Sequence, residues 1–83
     1  MEREEIVEKC KATLKEYTSD KSKVDSLKDE DEIVKELGLD SLDLVEMVMS
    51  LEEKFKIDIA EEDIGKIKTF NDMVSHIDKL INQ

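Results

Sequence analysis
Eighty-three residues, 43% of them charged and with a formal net charge of −10, allow one domain over 1–83 with a modest core. A chain this acidic should avoid nucleic acid and anionic membranes and seek basic partners. No apolar run approaches the ~20 residues of a membrane span. The start, Met1-Glu2-Arg3-Glu4-Glu5, is too acidic for a secretory or organellar address, so a cytoplasmic protein without membrane insertion is expected.

Such one-sided charge repels itself, so added NaCl or Mg²⁺ is expected to raise the melting temperature. A thermal melt followed by circular dichroism checks this, and a Tm that stays put across the titration contradicts it.

From about Arg3 to Tyr17, Ile6, Val7, Cys10, Leu14 and Tyr17 recur at helical spacing among Glu and Lys, with acids early and Lys11 and Lys15 late. This predicts an amphipathic first helix. The lone Cys10 excludes an internal disulfide and packs in it as a small hydrophobe. Thr18-Ser19-Asp20-Lys21-Ser22-Lys23 breaks the period, and a long loop is expected from Thr18 to about Glu30, anchored by Val24 and Leu27. The acidic run Asp29-Glu30-Asp31-Glu32 lacks the alternation and the glycine of an EF-hand and reads as a solvated patch. Ile33 and Leu37 suggest a short turn of helix from about Asp31, ended by Gly38.

The next helix starts with Asp40-Ser41-Leu42-Asp43 and runs to Phe55. Asp40 is a good N-cap and Asp43 completes a shortened capping box. With Asp40 as cap, Ser41 is the first helical residue, and its free hydroxyl sits at the positive pole of the helix, where an attached phosphate would be stabilised. The competing reading makes Ser41 the cap and nothing more. At about 100° per residue, Leu44, Val48, Leu51 and Phe55 share a core stripe with Met47 at its edge. Leu42, Val45 and Met49 form a second stripe, bordered by Glu46, Glu52 and Glu53, which is either a docking surface or the contact of a further helix.

Lys56-Ile57-Asp58-Ile59 reads as an extended connector. Glu61-Glu62-Asp63 opens a short helix with Ile64 and Ile67 inward, and Thr69 with Asp72 caps a final helix through Phe70, Met73, Val74, Ile77, Leu80 and Ile81. His76 reads as a boundary residue rather than a base. The expected fold is all-α, an antiparallel bundle of three main helices plus one short helix, with a long loop after the first. The sequence holds no nucleophile with a neighbouring base, no metal cluster and no phosphate-binding loop, so the chain does not read as an enzyme.

The segments Leu37-Gly38-Leu39-Asp40-Ser41-Leu42-Asp43, Val45-Glu46 and Leu51-Glu52-Glu53-Lys54-Phe55 resemble the acyl carrier protein family. The resemblance implies 4′-phosphopantetheine on Ser41, moved there from coenzyme A by a phosphopantetheinyl transferase that supplies Mg²⁺ and the base. The arm's thiol would hold acyl groups as thioesters for acyl transferases, ketosynthases and related enzymes. Basic patches on those partners would meet Asp40, Asp43, Glu46, Glu52 and Glu53 around Leu42, Val45 and Met49. An acyl tail would tuck among Val48, Leu51, Phe55, Ile59, Ile64, Ile67, Val74 and Ile77, the carrier itself staying a monomer without a metal. Many carriers have proline where Ala60 stands, which implies a looser approach to the short helix. The alternatives are a peptidyl or aryl carrier of nonribosomal synthesis, and an acidic interaction module without a prosthetic group. The cargo pathway, whether fatty acid, polyketide or a specialised lipid, is left open.

Overall fold
A computed structural model describes residues 1–82 and places six helices among them. They are α1 (Arg3–Tyr17), α2 (Lys21–Asp25), α3 (Ile33–Leu37), α4 (Ser41–Phe55), α5 (Glu61–Ile64) and α6 (Phe70–Ile81). α1 is the central packing element, in contact with both α4 and α6. It buries Ile6, Cys10 and Leu14 at helical spacing, and with them Thr13. That hydroxyl is tolerated because it donates to the Lys9 carbonyl at 2.9 Å and accepts from Lys54 Nζ at 3.0 Å. Burial pushes the Cys10 thiol up to about 12, which leaves it a packing residue with no thiolate to react.

The expected loop after α1 contains a helix, α2, which corrects the sequence reading. It is five residues long with one buried residue, Val24, too short to show a period. Tertiary contacts decide the outcome. Val24 is fully buried, Leu27 is half-buried, and Lys15 of α1 reaches Asp25 at 2.8 Å.

α3 ends as expected at Gly38, whose φ of 63° and ψ of 38° are left-handed and cheap only without a Cβ. The acidic run before α3 has a second duty in its backbone. The Phe70 and Asn71 N–H groups, left over at the start of α6, donate to the Asp31 and Asp29 carbonyls at 3.0 and 2.9 Å, and the Ile33 N–H donates to the Lys68 carbonyl at 3.0 Å. Thr69 and Asp72 complete the capping box of α6, and the Thr69 backbone N–H, first among several donors, holds the Asp72 carboxyl below the usual carboxylate range. α6 buries Phe70, Met73, Val74 and Ile77.

α4 buries Met47, Val48, Leu51 and Phe55. Met47 lies inside the core stripe rather than at its edge, while Leu44 is half-buried. The helix ends on Lys56, the one non-glycine residue with positive φ, at 54°, among those described. A left-handed L-residue costs roughly 1–2 kcal/mol, part of which glycine returns as unfolded-chain entropy. Lys56→Gly is therefore expected to stabilise the fold by about 0.5–1 kcal/mol, read as a higher urea midpoint. An unchanged or lower midpoint contradicts this. Ala60 takes φ −62° and ψ 142°, dihedrals that proline would adopt, so the connector keeps that geometry without the ring.

Candidate functional site
The site begins where α4 begins. The Asp43 N–H donates to Asp40 Oδ1 at 2.8 Å and the Asp40 N–H donates to Asp43 Oδ2 at 3.1 Å. Asp40 is therefore the N-cap, and the first helical residue is Ser41, which is exposed. This arrangement separates two jobs that the local sequence left entangled. The cap takes the N–H groups of Asp40 and Asp43, so those of Ser41 and Leu42 remain at the positive end of a helix four turns long. A phosphodiester on the Ser41 oxygen fits such a position: the hydroxyl is reachable, two backbone donors are near, and the carboxylates of the cap are engaged with each other's backbone.

Leading away from Ser41, Leu42, Val45 and Met49 are 65%, 44% and 59% exposed, so no further helix among the described residues covers this stripe. Glu46 and Glu53 are exposed beside it. Glu52 departs from the expected docking set. Its Oε2 accepts the Ile59 N–H at 2.8 Å, which turns the carboxylate toward the connector and gives it a structural role.

On the other side of α4, a cleft of about 250 Å³ opens toward α3 and α5, with Val34, Leu44, Ile64 and Ile67 as its apolar lining and Glu32, Lys35 and Lys68 beside them. Of the eight residues expected to form an acyl pocket, Ile64 and Ile67 line this cleft. Val48, Leu51, Phe55, Ile59, Val74 and Ile77 lie in the packed core and do not line it. Sequence reasoning missed Val34 and Leu44. Val34 is 37% exposed, an apolar residue facing outward on a five-residue helix, and Leu44 sits at the margin of the α4 core stripe. His76 is half-buried on α6, with Nε2 3.9 Å from Asp63 Oδ2 on α5.

Among the described residues, no group of three His, Cys, Asp or Glu could hold a metal, and no helix is long and apolar enough to cross a membrane.

Residues 12–77 match the family described as the phosphopantetheine attachment site. The chain is 48% identical over 56 residues to an acyl carrier protein of Campylobacter jejuni (strain RM1221), an alignment covering 68% of this chain and 73% of that one. It is 50% identical over 54 residues to an acyl carrier protein of Wolinella succinogenes, covering 65% and 71%. Among solved structures, the acyl carrier protein from Enterococcus faecalis superposes with a TM-score of 0.81 at 30% identity, over 96% of this chain and 99% of that one. Together with the capped helix start and its exposed serine, these likenesses establish that the chain belongs to the acyl carrier proteins, carriers of covalently attached phosphopantetheine rather than enzymes.

Proposed function
We propose that Ser41 Oγ is the attachment point and that the loaded chain shuttles acyl thioesters between enzymes of fatty acid, polyketide or related lipid synthesis. The observation carrying this reading is the exposed Ser41 hydroxyl standing outside the Asp40–Asp43 capping box. In loading, Ser41 Oγ attacks the pantetheine-side phosphorus of coenzyme A, the bond to the departing nucleotide phosphate breaks, and the serine proton passes to a base of the transferase. The chain's own part is to present the oxygen and to offer the N–H groups of Ser41 and Leu42 to the phosphodiester.

Partner enzymes would meet Leu42, Val45 and Met49 as the apolar contact and Asp40, Asp43, Glu46 and Glu53 as the charged one. Exposed ion pairs give only ~0–1 kcal/mol each, which suits steered encounter and quick release. An acyl tail would enter the cleft at Val34, Leu44, Ile64 and Ile67, favoured by ~0.8 kcal/mol per buried methylene.

The test is intact-mass spectrometry after incubation with coenzyme A, Mg²⁺ and a promiscuous phosphopantetheinyl transferase. One phosphopantetheine is expected, placed on Ser41 rather than Ser50 by fragmentation of the peptide between the Lys35 and Lys54 cleavage points. No gain, or a gain on another residue, overturns the assignment.

A further inference from the structure
Where α1 ends against the flank of α4, a hollow of about 240 Å³ is lined by Tyr17, Glu46, Met49, Ser50 and Glu53. Tyr17 is the last residue of α1. Its hydroxyl donates to the Glu46 carbonyl at 3.3 Å and lies 2.6 Å from Ser50 Oγ, so the far end of the ring is pinned to α4. Met49 is 59% exposed and adds a polarisable apolar wall. Glu46 and Glu53 are exposed, and neither pairs with a Lys, Arg or His among the described residues. The adjacent cation, Lys54, is turned to Glu16 and Thr13, at 3.0 Å from each. The hollow thus combines a fixed aromatic ring, a thioether and two carboxylates without counter-ions.

We propose that it receives a single arginine side chain of a partner enzyme, so that the docking footprint extends beyond α4 onto Tyr17. This rests on the reading of α4 as the docking face. Chemistry selects arginine over lysine. A guanidinium is flat, weakly hydrated and carries five forked donors, so it can lie against an aromatic ring while donating to two carboxylates. An ammonium is a compact, strongly hydrated charge that gains less from either. Tyr17 is then a specificity-determining residue, and Ser50 positions it.

The experiment is a ¹⁵N–¹H NMR titration of the unloaded protein at low salt, with N-acetyl-arginine amide in one series and N-acetyl-lysine amide in the other. Arginine is expected to give saturable shifts centred on Tyr17, Glu46, Met49, Ser50 and Glu53, and to bind about threefold more tightly than lysine. Tyr17→Leu should erase that preference. Glu46→Gln, a surface change that keeps the ring in place, should weaken arginine more than lysine and serves if Tyr17→Leu does not fold. Equal shifts for the two probes, or a preference that survives the variants, overturn the proposal. Since the titration uses unloaded protein, its failure leaves the Ser41 assignment standing, and a failure to load Ser41 leaves the titration readable.

Discussion

Ser41→Ala is expected to abolish phosphopantetheine loading completely while leaving the fold as stable as before. Loss of loading follows from chemistry, because no other atom can replace the attacking oxygen. Retained stability follows from geometry, because the cap is made by Asp40 and Asp43. Alanine at an exposed first helical position is, if anything, the better helix former. If Ser41 were the cap after all, removing its oxygen would cost about 0.5–2 kcal/mol. Asp40→Ala is the matched control, expected to lower stability by about 1 kcal/mol while still accepting the arm. Loading by mass spectrometry and urea unfolding, run side by side on both variants, separate the two roles. A Ser41→Ala protein that still gains the arm, or that unfolds as readily as Asp40→Ala, defeats this account.

Reversal of Glu46 and Glu53 to lysine together is expected to lower the transferase's kcat/KM by about ten- to a hundredfold at low salt, with little change in Tm. Each reversal removes an exposed attraction of ~0–1 kcal/mol and substitutes a repulsion of similar size, and both reduce the steering that brings a basic partner in. The deficit should shrink as ionic strength rises. Glu52→Lys should behave in the opposite manner. Losing the carboxylate that accepts the Ile59 N–H leaves a part-buried donor unpaired, so this variant should lose about 1–3 kcal/mol of stability. Kinetics of the double variant that match the parent at low salt would remove α4 from the docking surface.

How far the fold could be read from the residues depends on the length of the signal. α1, α4 and α6 repeat their apolar positions over three or more turns, and the boxes at Asp40–Asp43 and Thr69–Asp72 and the glycine at 38 mark their ends with chemistry specific to those ends. α2 repeats nothing, since one valine cannot define a period, and it forms because Val24 is covered and Asp25 finds Lys15. The stripe of Leu42, Val45 and Met49 was legible from the helical wheel of α4, but its exposure was not, because a wheel does not say whether another helix covers it. The cleft was not. Its walls come from three helices, two of them a turn or so long, and which apolar residue faces a gap rather than a neighbour is decided by how those helices meet. Glu52 shows the same limit, since its partner at Ile59 lies beyond the end of the helix, where a wheel cannot reach.

The backbone stitching between the acidic run and the start of α6 makes the two faces of the cleft unequal. On the α3 side the chain is sewn by three main-chain bonds to α6 and the residues just before it, whereas α5 has no fully buried residue, no side-chain cap and only one turn of its own. A tail lodged there would be held between a fixed jamb and a light shutter. Movement at this cleft would fall to the α5 side, while the α3 side keeps its shape.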